Sequence, residues 1–478
     1  MTYYAGIGAV HIQSWLARTA NKLFLVRGGS ALLSEQTSAE RITEVLSAHP
    51  AVRLAGAAGD IDGVVALECA QRAPLEAACR AVLAHLERAV VGLEWEAWLA
   101  EGDDYSHAYI RNGGGRWLAS RPALPELGLV QTCAFCGLEP AVESITHGDE
   151  PPARAGLSCA QRHRAYQEQQ RRNVQQRDGR RRRDWAEIPG EWPKEFDQLA
   201  RTTTEGVYAV GRRDSRGHLA TVAADGNGIG ELFRVISESG DARLREVAVR
   251  LLDEQTKEAV VAAARACEPP GGQPETKIVA PHYVGGDDVL LSVPAPLAWR
   301  FAAELGKHFE GLRERLSDDS SGADEKVRAA VSRLGLGIGI AFARESHPIG
   351  RTTQAAHRAL AAAKRCTRGG ESAIGWVDLT AAEDECYTIT VADAQAELDG
   401  EPCAVFRLGA SARGTLGTIL RSGLTEADEK VRQWTKRTGN TLGEQPPKPR
   451  ELAALLSRAR WWPDVPVDGD DDRRRGEE

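Results

Sequence analysis

The residues with the clearest chemical potential are two adjacent carboxylates in the turn of a predicted β-hairpin. The tetrapeptide Gly-Gly-Asp-Asp at 285–288 separates two apolar runs, 276–284 and 289–293. Glycine allows the positive φ that short hairpin turns require. Two neighbouring carboxylates repel each other by about 4 kcal/mol at an effective dielectric constant near 20, so they are either solvated or face a cation. Aspartate oxygens suit Mg²⁺, which usually accompanies phosphate.

A third carboxylate, Asp225, follows a predicted buried strand at 218–224. Gly226 and Gly228 come next and lead into a segment with helical spacing, a pattern typical of a phosphate cradle because free N–H groups at a helix start attract anions. In a βαββ arrangement the end of the first strand lies beside the tip of the central hairpin. We therefore expect Asp225 next to the hairpin aspartates, in the two-metal geometry of nucleotidyl transfer. The alternative is a strand-end aspartate that caps a turn.

The elements that must position these carboxylates continue in a consistent order. The pattern predicts a helix at 295–316, a glycine-rich strand at 334–343, an alanine-rich helix at 350–366 and a strand at 372–379. The resulting βαββαβ order is that of a ferredoxin-like palm. Lys364, near the end of the alanine-rich helix, is a candidate triphosphate contact, although a cation is also favoured at any helix C-terminus.

Four segments carry a family resemblance: AADGNGIGELF, YVGGDDVLLSVP, LGLGIGIAFARESHPI and ALAAAKRCTRGGESAIGW. They resemble the catalytic palm of the large polymerase–cyclase subunit of type III CRISPR effector complexes. The N-terminal stretch GIGAVHIQSWLARTANKLFLVRGGSALLSE is similar to the first palm of that family. The resemblance covers roughly residues 1–382.

The resemblance implies synthesis of cyclic oligoadenylate from ATP with Mg²⁺ or Mn²⁺, in partnership with guide RNA-bound CRISPR subunits and target RNA. It implies that the metal ligands are Asp225, Asp287 and Asp288. The nucleotide contacts that we expect at this site are Gly226, Gly228, Gly285, Gly286, Lys364 and Ser30. Ser30 belongs to Arg27-Gly28-Gly29-Ser30, which faces the pocket by analogy and is alternatively a plain helix N-cap.

Two departures from the family pattern affect these expectations. Family members usually begin with an HD nuclease domain, whereas this chain begins at the first palm, so we expect no single-stranded DNase activity. The first strand often carries Asp-Gly-Asp, and the third position here is Asn227. That change removes a negative charge, which leaves open whether one or two catalytic metal ions bind.

A cysteine cluster predicts a structural zinc site. Cys133 and Cys136 form a CxxC motif followed by glycine, and Cys159 with His163 supplies a second ligand pair. His147 is an alternative fourth ligand, and the competing interpretation is a set of incidental reduced cysteines. The nine cysteines are odd in number and have no regular pairing, which favours a reducing, cytoplasmic location.

We predict an α+β protein with two ferredoxin-like palm domains, an intervening zinc-binding segment and a C-terminal, mainly helical region. The expected boundaries are 1–128 for a non-catalytic first palm, 129–200 for the zinc knuckle and basic linker, 201–382 for the catalytic palm, and 383–478 for the rest. In the first palm, the turn near Asp60 and Asp62 lacks the double glycine, so we expect no chemistry there. In the last region, 386–391 and 403–408 resemble strands, and helices follow at 425–436 and 449–460, before Trp461 and Trp462, which we expect to dock on the core.

Composition excludes several classes of protein. The net charge of −8 argues against a globally basic nucleic-acid binder. A basic run from Gln161 to Arg183 is either a solvated linker or a contact for RNA or for nucleic acid on another subunit, and the charged tail at 470–475 is predicted to be disordered. No apolar span reaches 18 residues, and the N-terminal residues lack a basic region followed by an apolar core, so we expect no membrane helix and no signal peptide.

Two other functions compete with an oligoadenylate cyclase. A dinucleotide cyclase of the GGDEF type also pairs a strand-end acid with a GG-acid-acid hairpin, but it usually has Phe where this chain has Val289. A non-enzymatic scaffold of a guide-RNA complex is the second alternative, in which the acidic hairpin is a remnant. The sequence does not determine the nucleobase, the product ring size or the need for partner subunits.

Overall fold

A computed structural model describes most of the chain. The described residues are 2–19, 22–55, 62–113, 115–121, 130–148, 150–175, 187–202, 217–268, 275–319, 324–381, 385–401, 403–421, 424–443 and 446–462. Asp60, the arginine run at 180–183 and the charged tail at 470–475 lie outside the described residues. No helix in these ranges is both long enough and apolar enough to cross a lipid bilayer.

The N-terminal unit is built on a five-stranded sheet. Its elements are β1 (Thr2–Val10), α1 (Ile12–Leu16), α2 (Leu23–Thr37), α3 (Ala39–Leu46), β2 (Arg53–Leu54), β3 (Val64–Cys69), α4 (Arg72–Ala89), β4 (Glu94–Gly102), α5 (Tyr105–Asn112) and β5 (Leu118–Ser120). The strand order is β2-β3-β1-β4-β5, and β1 is antiparallel to both β3 and β4. Without the edge strand β5, this is the ferredoxin-like order expected for a palm. Helix α4 forms where apolar residues recur at helical spacing, from Leu75 to Leu86, and are buried.

A small segment follows this sheet. It contains β6 (Glu143–Ile145), β7 (Ala153–Ala155), α6 (Leu157–Gln175) and α7 (Phe196–Arg201). Helix α6 packs along α2, and a buried arginine joins the segment to the first palm. The Arg162 guanidinium donates to the carbonyl oxygens of Trp15 at 2.8 Å and of Leu16 at 3.4 Å, and lies 3.9 Å from the Trp15 ring centroid. This cation thereby binds the C-terminal carbonyl groups of α1, where a positive charge is favourable.

The second palm provides the larger sheet. Its elements are β8 (His218–Asn227), α8 (Ile229–Ser239), α9 (Ala242–Ala266), β9 (Ala280–Gly285), β10 (Asp288–Pro294), α10 (Ala298–Asp319), α11 (Glu325–Val331), β11 (Gly335–Arg344), α12 (Ile349–Cys366), β12 (Ala373–Asp378) and β13 (Tyr387–Thr390). The strand order is β13-β12-β11-β8-β10-β9. The inner part, β11-β8-β10-β9, is antiparallel and has the ferredoxin-like order. Strand β12 is parallel to β11 and reaches it through α12.

The C-terminal region is mainly helical, as predicted. It comprises α13 (Val391–Asp399), α14 (Ala404–Arg407), α15 (Ala410–Arg421), α16 (Leu424–Thr438) and α17 (Pro449–Ala459). Trp461 and Trp462 are 1% and 7% exposed, and the Trp461 ring stacks on Phe342 with centroids 5.2 Å apart. The expected docking of this pair on the core is therefore what the structure shows.

Two local expectations are wrong. The run at 403–408 forms the short helix α14 rather than a strand, because an apolar run this short does not distinguish the two and Val405 and Phe406 bury equally well from a helical turn. Gly28-Gly29-Ser30 is not an N-cap, since it lies in the middle of α2. That helix begins at Leu23, and buried residues on both sides of the glycines continue its apolar face.

Helix α12 rests directly on the backbone of the second palm sheet. A Cβ atom added to Gly339 of β11 would lie 2.0 Å from the Ala356 carbonyl oxygen, and one added to Gly375 of β12 would lie 2.1 Å from that of Ala359. Neither strand can carry a side chain at these points. The glycines in the run at 335–339 thus explain how α12 comes close enough to the sheet to present its last turns to the end of β8.

We predict that Gly339→Ala destabilises the protein, because the added methyl group collides with backbone that cannot move independently. Overpacking of this kind costs about 1–3 kcal/mol. Differential scanning fluorimetry should show a lower Tm than the wild type. Gly230→Ala is the matched control, because its Cβ meets nothing within 4 Å on α8 and alanine favours the helix. An unchanged Tm for Gly339→Ala would contradict the described packing.

Candidate functional site

The acidic hairpin is a tight two-residue turn. Asp288 pairs with Gly285 across β9 and β10, which leaves Gly286 and Asp287 as the central residues. Gly286 has φ of 61°, a conformation that glycine adopts without strain. Of the central pair only Gly286 has positive φ, which is the pattern of hairpin turns that place glycine first. Both aspartates keep part of their surface exposed, so they are accessible from solvent.

A carboxylate outside the hairpin fixes the turn. The backbone N–H of Gly286 donates to Asp253 Oδ1 at 3.3 Å, and Asp253 Oδ2 lies 2.9 Å from Lys257 Nζ. Asp253 lies on α9, the long helix between α8 and β9. Sequence reasoning missed it because an acid four residues before a lysine on a helix is the usual pattern of a surface ion pair.

The strand pairing brings Asp225 to the hairpin. Strand β10 is antiparallel to β8 with Val289 opposite Ala224, so Asp288 lies opposite Asp225 at the next position. Asp287 lies over Gly226, the residue of β8 that follows Asp225. A Cβ atom on Gly226 would be 2.9 Å from Asp287 Oδ2, so glycine at this position leaves room for the carboxylate. The structure therefore places all three predicted carboxylates at one end of the sheet.

Burial and the neighbouring charges raise the pKa of both hairpin aspartates. Burial, followed by the charges of Asp225 and Asp288, raises the pKa of Asp287 to about 7. Burial and the charge of Asp225 raise the pKa of Asp288 to about 6, while the Lys364 ammonium acts in the opposite direction. Raised carboxyl pKa values mean that the ionised carboxylates are unfavourable in this environment. A cation bound beside them would stabilise the ionised forms.

Lys364 supplies part of that charge. Its Nζ lies 2.7 Å from Asp225 Oδ2 and donates to the carbonyl oxygen of Gly226 at 3.1 Å. The alkyl stem crosses Gly337 of β11, where a Cβ atom would be 2.8 Å from Lys364 Cγ. Lys364 is therefore held at the end of β8 by the close packing of α12, rather than extending freely from the helix C-terminus.

The neighbouring glycine and asparagine end the strand and start the next helix. Gly228 has φ of 79° and precedes α8, as expected for a strand-to-helix turn. Asn227 is buried, and its Nδ2 donates to the carbonyl oxygen of Glu371 at 3.0 Å. Its side chain is thus bound to the loop before β12 and does not replace a third carboxylate at the cluster.

The carboxylates of Asp225, Asp287 and Asp288 are close to one another, but their oxygen atoms do not form a compact set of ligands. Among the described residues, the only group of three or more His, Cys, Asp or Glu side chains whose ligand atoms all lie within 4.8 Å of one another is Cys133, Cys136 and Cys159. The aspartate trio falls outside that spread, and Asp225 turns towards Lys364. Oxygen donors of three aspartates beside an ammonium group fit a divalent cation such as Mg²⁺ or Mn²⁺ in chemical type.

The first palm meets the second beside the hairpin. The Tyr283 hydroxyl of β9 donates to the carbonyl oxygen of Asp62 at 3.2 Å. Burial, followed by the charges of Asp288 and Asp62, raises the pKa of Tyr283, so the phenol stays protonated as a donor. Ser30 is half-buried within α2, and the described contacts do not connect it to the hairpin. Its assignment as a nucleotide contact stays a prediction.

The three cysteines form a separate buried cluster. Cys133 and Cys159 are each 2% exposed, Cys136 is partly exposed, and none of them is in a disulfide. The CxxC turn supplies two thiols and the first turn of α6 supplies the third. Three thiols within 4.8 Å without a disulfide fit a thiolate-preferring ion such as Zn²⁺.

The predicted histidine does not join this cluster. The His163 Nε2 lies 3.3 Å from Gln167 Nε2, and its ring packs edge-on against Phe24. His147 is not part of the group either, and its ring stacks on Phe24 with centroids 3.8 Å apart. Cys159 and His163 share a face of α6, but packing around Phe24 determines where the imidazole points. The identity of a fourth ligand stays open.

We predict that the full-length chain purifies with about one zinc ion, and that Cys159→Ser loses it because three thiolates hold the ion. Elemental analysis by mass spectrometry measures the metal-to-protein ratio. Cys366→Ser is the control, since Cys366 is exposed and outside the cluster. A wild-type chain purified without chelator and free of zinc, or a Cys159→Ser variant with the wild-type ratio, would contradict the site.

We also predict that Asp287→Asn stabilises the protein at neutral and alkaline pH without added divalent metal. The folded-state pKa of about 7 exceeds the ordinary value of 3.8, so the folded chain binds more protons than the unfolded chain between these values. Stability therefore falls as pH rises through this window. For a partly exposed carboxyl the gain is on the order of 1–2 kcal/mol above pH 7 and vanishes near pH 4. Thermal unfolding across pH measures it, and a gain independent of pH would contradict the electrostatic cause.

Comparison with known proteins identifies the fold family. Residues 218–371 match the family profile of the second palm domain of Cas10/Cmr2. A chain of the Csm1–Csm4 cassette in complex with cA4 matches with a TM-score of 0.54 and 15% identity over 96% of this chain and 70% of its own length. The cassette in complex with one ATP gives a TM-score of 0.54 and 15% identity over 96% and 69%. The cassette in complex with cA3 gives 0.53 and 13% over the same shares.

At these identities the solved structures establish the fold of nearly the whole chain. No curated protein sequence matches significantly. The profile match shows in addition that the second palm is similar in sequence to that of Cas10/Cmr2. The matched residues include Asp225, the acidic hairpin and Lys364. Residues 218–371 are therefore similar to the second palm domain of Cas10/Cmr2, and the chain shares its overall fold with the matched chains of the Csm1–Csm4 cassette.

Proposed function

We propose that this protein is a nucleotidyltransferase that joins ATP molecules into cyclic oligoadenylate in a type III CRISPR defence system. The single observation that carries the proposal is the grouping of Asp225, Asp287 and Asp288 at the end of β8 beside Lys364, with raised pKa values at both hairpin aspartates. A fold that maintains this repulsion at a solvent-accessible turn is suited to bind a cation together with an anionic ligand. The structurally similar cassettes in complex with ATP and with cA4 support the choice of substrate and product.

In the proposed reaction, the 3′-hydroxyl of one ATP attacks the α-phosphorus of the next. A phosphodiester bond forms as the hydroxyl gives up its proton to water. The bond between the α-phosphorus and the oxygen bridging to the β-phosphorus breaks, and pyrophosphate leaves with the electron pair of that bond. Bound Mg²⁺ or Mn²⁺ would stabilise that charge as a Lewis acid. Closure of the ring repeats the same chemistry within one linear oligonucleotide.

The residues of this chain have distinct roles in the proposal. Asp225, Asp287 and Asp288 provide the oxygen ligands. Lys364 is a point charge that can turn from Asp225 to a triphosphate, which suits the flexible stem of lysine. Because glycine has no side chain, phosphate can approach the backbone N–H groups at four positions, Gly226, Gly228, Gly285 and Gly286.

Two further residues hold the hairpin in position. Asp253 accepts the Gly286 N–H and so fixes the turn, and Tyr283 connects β9 to the first palm through Asp62. These contacts act through the backbone or the neighbouring palm, so both residues are positioning residues in this proposal. Their effect is to keep the two hairpin carboxylates at the end of β8 when a ligand arrives.

We also propose the division of the chain. Residues 1–128 act as a non-catalytic palm, 129–200 as a zinc-stabilised connection, and 201–382 as the catalytic palm. The similar chains occur in a cassette with Csm4, which supports a partner subunit for this chain. Guide RNA and target RNA complete the proposed set of partners.

The test uses the full-length protein with Mg²⁺ or Mn²⁺ and each labelled NTP, alone and with its partner subunits, guide RNA and target RNA. We expect cyclic oligoadenylate from ATP, resolved by chromatography and mass spectrometry. Asp287→Ala with Asp288→Ala should reduce turnover at least about a thousandfold, because the metal-binding oxygens are removed. The fold should persist, since a surface turn contributes little to the core.

The control variant is Asp428→Ala with Glu429→Ala, which removes an exposed adjacent acidic pair on α16 and leaves the palm untouched. It should retain wild-type turnover. Cyclic di-GMP from GTP would instead support a GGDEF-type enzyme. No product from any NTP in the fully assembled complex would support a scaffold, and wild-type turnover in the hairpin double variant would remove the site assignment.

A further inference from the structure

We propose that a cavity at the opposite end of the second palm sheet is a phosphate-binding site, distinct from the acidic hairpin. The cavity has a volume of about 300 Å³ and lies where β8 begins, β11 ends and the loop to α12 passes. Its polar lining consists of His218, Arg344, Ser346, His347, Thr380 and Arg460. This inference does not depend on the proposed cyclase activity.

The cavity is remote from the acidic cluster. His218 is the first residue of β8 and pairs with Arg344, the last residue of β11. Asp225 lies seven residues further along β8. At about 3.3 Å per residue the two ends are roughly 23 Å apart. A ligand small enough for this cavity cannot reach the hairpin carboxylates.

The charge of the cavity is the reverse of that at the hairpin. The described residues that line it include two arginines and two histidines and no carboxylate. Two acids lie nearby. Glu345 approaches Gly217, and Asp378 is 3% exposed and lies 3.8 Å from Arg460 Nη1. The Asp378 carboxylate also accepts hydrogen bonds from Trp461 Nε1 and from the Thr380 backbone N–H, both at 2.8 Å, so its charge is shared among several donors.

The two arginines differ in how they are held. Arg460 donates from Nη1 to the Thr380 hydroxyl, stacks 4.5 Å from the Trp461 ring centroid and has a buried Nε with no partner among the described residues. It is therefore preorganised. Arg344 is exposed at the end of β11 and makes no ion pair with a described residue, so its guanidinium can move onto a ligand. A fixed and a mobile guanidinium together suit bidentate recognition of phosphate.

The N-terminus of α12 adds positive electrostatic potential to the cavity. Pro348, which also lines the cavity, is the N-cap of the 18-residue helix α12 and provides no side-chain cap. The positive end of a helix favours anions. Ser346 adds a hydroxyl group to the lining, whereas the Thr380 hydroxyl already donates to Asp378 Oδ1 at 2.6 Å. The cavity is at the small end of ligand sites, so it fits a phosphate group with one attached nucleoside rather than a long chain.

The ligand class that follows is a phosphate ester, from either a mononucleotide or the end of an oligonucleotide. Isothermal titration calorimetry of the full-length protein without added divalent metal compares inorganic phosphate, adenosine 5′-monophosphate, the 5′-phosphorylated dinucleotide pApA and uncharged adenosine. We expect the three phosphates to bind and adenosine not to bind. If pApA binds more tightly than the monophosphate, the ligand of the cavity is the end of an oligonucleotide. If the two bind equally, the ligand is a mononucleotide.

Arg344→Glu should weaken phosphate binding about tenfold to a hundredfold, because a charge-assisted donor is replaced by a repelling carboxylate. Arg344→Gln should weaken it less. Arg328→Glu, at an exposed arginine on α11, is the control with the same change in net charge and should bind as the wild type. Absence of phosphate binding to the wild type, or equal affinity in Arg344→Glu and Arg328→Glu, would overturn the proposal.

Nucleotide synthesis assayed on the same variants separates this inference from the proposed function. If the cavity is independent of the hairpin, the Arg344→Glu variant should synthesise oligoadenylate from saturating ATP at the wild-type rate. Loss of phosphate binding with retained synthesis supports the cavity as a separate site. Phosphate binding that disappears in Lys364→Ala but persists in Arg344→Glu would place the anion at the hairpin, where Lys364 is the cation, and would overturn the assignment.

Discussion

The grouping of Asp225, Asp287 and Asp288 at the end of β8, where burial and mutual repulsion raise the pKa of both hairpin aspartates, is the constraint on which the site in the second palm depends. The sheet register forces the carboxyls of Asp225 and Asp288 together, and Asp287 adds a third at the turn. Three features offset the cost within the chain. Lys364 pairs with Asp225, Asp253 fixes Gly286, and burial favours protonation of Asp287 and Asp288. All three depend on elements that pack around the end of β8.

The packing of α12 connects that local balance to the whole domain. Because Gly339 and Gly375 carry no side chain, the helix lies against the sheet backbone, and its final turns bring Lys364 to the carboxylates. The beginning of the same helix contributes to the basic cavity at the other end of the sheet. One helix thus places positive charge at both ends of β8, beside three acids at one end and among basic side chains at the other.

Much of this arrangement follows from the sequence. The apolar runs of β8, β10 and β11 and the glycines of the hairpin predict the ferredoxin-like order, and that order alone brings Asp225 to the hairpin. Other features depend on tertiary packing that local patterns do not encode. His163 has the spacing of a metal ligand on α6, but its ring packs on Phe24 instead. Asp253 resembles a surface ion-pair residue, and the segment at 403–408 has an apolar run too short to distinguish a helix from a strand.

The proposed metal site is tested most directly by a crystal structure of the protein with Mn²⁺ and a non-hydrolysable ATP analogue, with anomalous scattering recorded at the manganese edge. We predict an anomalous peak about 2.0–2.6 Å from carboxylate oxygens of Asp225 and of at least one hairpin aspartate, with the triphosphate reaching Lys364. Manganese and nucleotide bound away from the hairpin, with Lys364 still paired to Asp225, would contradict it.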